Sequence, residues 1–268
     1  MPAGRRLSLT RSACDILETA APEAKATRSR DTAAEWRAGG IDAIGEVNPP
    51  NRPARPDRPV LLPPTKMPRR RGAAGRVALL HAIAHIELNA IDLAWDMIAR
   101  FADPALPRAF YDDWVKVADE EARHFTLLTG RLQSLGAAYG DLPAHDGLWQ
   151  AARETAGDVL ARLAVAPLVL EARGLDVTPG MIDRLEQAGD TESAAVLRVI
   201  LREEVGHVAA GRRWFAHIAE ARGLAPAATF RSLVRRHYRG RLKPPFNTEC
   251  RIAAGFEADW YEPLVAKA

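Results

Sequence analysis

The sequence predicts an all-α protein built around a four-helix bundle, with an extended N-terminal arm and a C-terminal helical extension. Three observations carry that expectation. Apolar residues recur at the helical period over several long stretches. Ala and Leu are plentiful while aromatics make up only 6% of the 268 residues, a balance that favours helix. The third is a pair of Glu-x-x-His motifs, Glu121–His124 and Glu204–His207, each with a lone Glu upstream at Glu87 and Glu171. Three segments follow: helices and a Pro/Arg-rich arm over 1–72, the bundle over 73–223, and a basic extension over 224–268 that packs on it.

In chain order, Ser8 to about Ala20 and Pro22 to Arg37 read as two short helices, the second stopped by Gly39-Gly40. From about Val47 to Arg71 the repeated prolines exclude helix interior. That arm is expected to lie along the bundle with Val60, Leu61 and Leu62 as its anchor. The first bundle helix runs from about Ala74 to Ala102 and is broken by Asp103-Pro104. Pro107 opens the second, which extends to Leu135 before the stop at Gly136. So short a link makes the two antiparallel neighbours. The polar connection Tyr139–Gly147 leads to a third helix, about Leu148 to Ala172, kinked at Pro167. Gly174–Val177 leaves that helix, and Thr178-Pro179 caps a short one ending near Ala188. The fourth starts at Gly189-Asp190-Thr191 and reaches about Arg222. Pro226 opens a basic helix to about Tyr238, Lys243–Asn247 is extended, and a tail helix covers about Phe256 to Leu264.

The two motifs carry the chemistry. Residues three apart on a helix share a face, so each pair presents a carboxylate and an imidazole to one point. Glu87 precedes Glu121 by 34 residues and Glu171 precedes Glu204 by 33. One Glu from each of two helices plus Glu-x-x-His from each of two others is the ligand set of di-iron and di-manganese bundles. Each of the four carboxylates falls on an apolar stripe, such as Leu80, Ile83, Ala84, Ile91 and Ile98 around Glu87. Isolated buried carboxylates cost several kcal/mol and are neutralised or bound to cations. Two divalent ions would balance four carboxylates. Glu120 and Glu203 stand four residues before the same histidines and also face them; the apolar neighbours favour Glu121 and Glu204. The metal ligands expected are therefore Glu87, Glu121, His124, Glu171, Glu204 and His207.

Composition narrows the setting. Cys14 and Cys250 frame neither disulfides nor a thiolate metal site. No apolar run approaches a membrane span, and the basic start lacks the apolar core of a leader. A cytoplasmic protein is expected. Net charge is +3, but eight basic residues face one acid between Arg52 and Arg76, and six face none between Arg231 and Lys243. These are solvated arms or a docking surface for phosphate-bearing ligands such as nucleic acid.

With these residues in place, the chain resembles the ferritin-like superfamily and, more closely, the bacterial family catalogued as domain of unknown function 455. The resemblance rests on Leu80–Leu93, Glu121–Phe125, Glu171–Asp176, Glu204–Val208 and Lys243–Asn247, and covers roughly Arg52 to Leu264. Superfamily membership implies a carboxylate-bridged di-metal site, most often iron, on the six residues named above. The closer family implies no agreed reaction.

Other residues read as structural. His85 lies about 200° around the helix from Glu87, so His81 and His85 are expected to bond a neighbouring helix. Asp92 and Asp96 could orient a ligand histidine but fit inter-helix or solvated positions better, and Tyr111, Tyr139 and Trp214 could support electron transfer near iron but fit core packing better. His145, His217 and His237 show no partner by spacing. The function expected is a di-iron oxidoreductase of hydroxylase or oxidase type, using two Fe ions, with Mn compatible with the same donors. Its partners would be O2, an unidentified small or anionic substrate and an unidentified electron donor. A homodimer is compatible and no membrane partner is expected. Alternatives are an iron-handling ferroxidase or storage protein, and a non-catalytic metal-stabilised interaction module.

Overall fold

The computed structural model describes residues 8–63, 66–67 and 72–265, and among them there is helix and no strand. The chain divides into two compact units, one up to Trp149 and one from Gln150.

In the first unit, α1 (Leu9–Leu17) starts at Ser8, whose side chain accepts from the Arg11 N–H. Helix α2 (Pro22–Arg37) starts on its own proline, where the missing N–H costs nothing. A long hairpin follows, α3 (Gly72–Arg100) and α4 (Arg108–Ser134), with α1 packed on α3 and α2 on α4. Leu80, Ala84, Ile91, Trp95 and Ile98 of α3 are buried with Phe110, Trp114, Phe125 and Leu128 of α4. Helix α4 ends where Gly136 turns to φ +73°. There the Ala137 N–H returns to Leu132 O at 3.0 Å and closes the last turn. By length and composition alone, Gly75–Arg100 could cross a membrane, contrary to the sequence expectation, but 67% of its apolar window is buried within the chain. A core helix passes the same test.

The arm is held differently from expectation. Pro53 and Pro59 are buried and Leu62 is half-buried, but Val60 is 60% exposed and Leu61 36%, so those two side chains do not anchor it. Its backbone does: the Leu62 N–H donates to Ala144 O at 2.8 Å, and the Ala144 N–H to Val60 O at 3.0 Å. Arg55 adds a second tie, with Nη1 2.9 Å from Asp92 Oδ2 and Nη2 donating to Asn89 Oδ1 at 2.6 Å. Asp92 also receives the Lys25 ammonium at 2.5 Å, and both residues are sealed from solvent. Burial lowers the Lys25 pKa, with the Asp92 charge opposing. The buried ion pair thus fixes α2 and the arm to α3. Arg69, Arg70 and Arg71 of the basic arm, and the basic N-terminal start, lie outside the described residues.

Helix α5 (Gly147–Glu154) spans the boundary, and the second unit continues with α6 (Val159–Val165), a π-helical turn (Ala166–Glu171) and α7 (Ala172–Gln187). Then come α8 (Thr191–Ala221), α9 (Pro226–His237), α10 (Thr248–Ala253), α11 (Ala258–Tyr261) and a 3₁₀ turn (Glu262–Leu264). Four expectations are corrected in this unit. The third helix is broken at residues 155–158, where Asp158 caps α6 by accepting from the Leu160 N–H. Pro167 gives a π turn rather than a simple kink; proline has no N–H for the carbonyl four residues back, and the chain widens to pass it. The chain also does not leave the helix at Gly174, because Pro179 lies inside α7. The carbonyl deprived by Pro179 is that of Leu175, and Asn247 Nδ2 donates to it at 3.1 Å. The Lys243–Asn247 segment therefore repairs the helix that Pro179 would otherwise interrupt. The tail helix is shorter than expected, and α10 precedes it. Phe215, Phe230, Phe256 and Trp260 form an aromatic cluster, with edge contacts such as Phe230–Phe256 at 5.5 Å.

Candidate metal centre

In the first unit, the α3–α4 hairpin brings Glu87, Glu121 and His124 together. All three are buried, Glu121 and His124 completely. His124 Nδ1 lies 3.3 Å from Glu121 Oε2 and 3.4 Å from Glu87 Oε2. Ligands bonded at about 2.0–2.2 Å to one ion stand roughly 3–4.4 Å apart, and both separations fall in that interval. The helical spacing of Glu121 and His124 sets the first distance, and packing of α3 against α4 sets the second. Burial, followed by the charge of Glu121, raises the Glu87 pKa well above the ordinary carboxylate range. Burial opposes charge on His124, yet hydrogen bonds with Glu121 and Glu87 push its pKa up to about 11. Two carboxylates at this depth thus demand positive charge beside them. A proton can supply it, and so can a metal ion.

The second unit carries the other motif on α8. Glu204 is 8% exposed and His207 fully buried, with Nδ1 3.6 Å from Glu204 Oε2. Glu204 Oε2 has no hydrogen-bond partner among the described residues. A buried carboxylate oxygen left in that state costs free energy unless a cation faces it. Glu171 closes the π turn and is half-buried. The π turn is held against α8 at a close approach: a Cβ on Gly211 would lie 2.5 Å from Pro167 Cβ. Carboxylate oxygens with imidazole nitrogen make a donor set suited to Fe, Mn or Zn, and the residues present fit such an ion.

Glu120 is half-buried, with Oε1 3.6 Å from Lys116 Nζ, whereas Glu121 is completely buried. His85, on another face of α3, has Nε2 3.2 Å from His145 O and Nδ1 2.8 Å from Tyr139 OH. The carbonyl can only accept, so Nε2 donates and the Tyr139 hydroxyl donates to Nδ1. His81 Nε2 accepts the Gly140 N–H at 2.9 Å. Asp96 pairs with Arg100 at 2.8 Å, and His217 stands edge-on to Trp214. Sequence reasoning missed Lys25 and Arg55 as partners of Asp92. Neither lies within helical spacing of Asp92, so no periodicity could have shown the contact.

A family model described as "Protein of unknown function (DUF455)" matches residues 18–262. The chain belongs to this family. As a DUF455 protein it is similar to an uncharacterized protein of Haemophilus influenzae, 43% identical over 220 residues that cover 78% of this chain and 76% of the relative. No solved structure matches the DUF455 chain. The buried Glu/His group is therefore assigned from geometry and donor chemistry alone.

Proposed function

We propose that this DUF455 protein is a di-metal carboxylate protein, most naturally di-iron, acting as an O2-dependent oxidoreductase on an organic substrate. Glu87, Glu121 and His124 would hold metal from the first unit and Glu171, Glu204 and His207 from the second, the ligand set of a ferritin-like di-metal protein. The observation that carries the reading is the buried Glu87–Glu121–His124 triad at 3.3–3.4 Å, with its Glu-x-x-His pattern repeated on α8. An iron pair supplies dioxygen activation when bound. The chain's own part is to bind, orient and exclude water. Glu121 and His124 are prealigned on one helical face, so little side-chain freedom is lost on binding. Leu88, Ala118, Ala122 and Phe125 are buried neighbours in sequence and keep the surroundings apolar. A proton shared within the Glu87–Glu121–His124 group would have to leave before those side chains ligate.

Anaerobic purification, metal analysis and then exposure to oxygen test this reading. About two irons per chain, with an absorption change on oxygen addition, is the result expected. Metal that ignores oxygen would point to a stabilised module, and many irons per chain to storage; either outcome overturns the oxidoreductase.

A further inference from the structure

The second unit contains a cavity of about 390 Å³ that takes no part in the metal reading. Its floor is apolar, Leu168 and Val169 of the π turn. Its wall is cationic: Arg173, Arg241, Lys243 and Arg251 face it against the single carboxylate of Asp176. That carboxylate is already committed. Arg251 Nε donates to Asp176 Oδ1 at 2.9 Å and Nη2 to Oδ2 at 2.7 Å, while the Asn247 N–H also donates to Oδ1. Arg251 is only 2% exposed, yet Nη1 has no hydrogen-bond partner among the described residues. The guanidinium is held in place over the Tyr261 and Phe246 rings at 4.3 and 4.8 Å, so one edge of a rigid fork is left over. The loop that carries Arg241 and Lys243 is shaped to this wall. Tyr238 lies so close over Gly240 that a Cβ there would meet its ring at 2.4 Å.

We propose that this cavity binds a phosphate-bearing small molecule of about mononucleotide size. The phosphate would sit among Arg251, Arg241 and Lys243, with the organic part toward Leu168, Val169 and Phe246. Three features select that class. The surplus of positive charge exceeds what one carboxylate neutralises, whereas a phosphate dianion meets more of it. A planar guanidinium edge suits phosphate oxygens. The volume lies within the range of small-ligand sites, and the apolar floor asks for more than a bare ion. The inference does not rest on the metal reading, and the two fail separately: metal content reports one and phosphate titration the other.

The test titrates the full chain with AMP, inorganic phosphate, adenosine and acetate, by calorimetry and thermal shift. AMP and phosphate should bind, and adenosine and acetate should not. The Arg241→Gln/Lys243→Gln pair, both exposed, should weaken AMP about tenfold while leaving the ligand-free melting temperature unchanged. Binding of adenosine as tight as AMP, acetate competing on equal terms with phosphate, no binding of either phosphate ligand, or AMP binding untouched in the double variant would each overturn the proposal.

Discussion

Replacing Gly211 with Ala separates two effects of opposite sign. In a helix interior Ala is better than Gly by about 1 kcal/mol. At this position, however, the new Cβ would lie 2.5 Å from Pro167 Cβ and 2.6 Å from Pro167 Cγ. Carbon atoms in contact prefer about 3.5–4.0 Å, so α8 and the π turn must separate by roughly 1 Å. Neither partner can yield cheaply, because the proline ring cannot rotate away and both lie in packed backbone. Overpacking of this kind costs about 1–3 kcal/mol, and somewhat more where a rigid ring is the obstacle. The net expectation is destabilisation by about 1–2 kcal/mol, a fall in melting temperature of roughly 2–8 °C for a chain of this size. Gly130, helical on α4 with nothing within 4 Å of an added Cβ, is the control. Gly130→Ala should gain up to about 1 kcal/mol. Urea unfolding of both variants decides the matter. A Gly211→Ala protein as stable as the parent would refute the close approach as the reason for glycine.

Asp92→Ala strands the buried Lys25 and Arg55 charges and should cost about 3–5 kcal/mol by urea denaturation; a loss below about 1 kcal/mol would mean that the pair is not buried as described. His85 should make the protein acid-sensitive. Burial, and then the Arg55 charge, lower its pKa from 6.5 to about 3, so the unfolded chain takes up the proton first. The stabilisation is whole above pH 6.5 and shrinks as pH falls, by about 2 kcal/mol between pH 6.5 and 5. In His85→Gln that slope should flatten, and an unchanged slope would assign it elsewhere. Metal loading at pH 7 should release about one proton per chain into a weakly buffered indicator solution, because hydrogen bonds with Glu121 and Glu87 push the His124 pKa up to about 11 and burial raises that of Glu87. Loading without proton release would contradict the ligand roles of both.

The helices themselves were largely legible because their signals are local. Ser8 and Asp190 cap as their residue types suggest, Pro22 and Pro226 open helices, and Gly136 ends one. The candidate ligands were legible in part for the same reason: Glu121–His124 and Glu204–His207 owe their pairing to helical spacing. What could not be read was supplied by distant chain. Pro179 signals a helix end, yet α7 continues, and Asn247, remote in sequence, satisfies the Leu175 carbonyl there. The arm carried three apolar residues, yet its tie is the backbone of Val60 and Leu62 to Ala144 together with Arg55 to Asp92. The phosphate-sized cavity likewise depends on Arg251 stacking between rings, which no single stretch of sequence encodes.

The most direct test of the central claim is metal stoichiometry across a small variant set. Counted by plasma mass spectrometry, the parent should hold about two ions per chain, while Glu121→Ala, Glu204→Ala and His207→Ala should each hold one or none. Glu120→Ala, altering the half-buried carboxylate beside Lys116, should match the parent. Full occupancy in the first three variants, or equal loss in the fourth, would contradict the assignment of these buried side chains as the ligands.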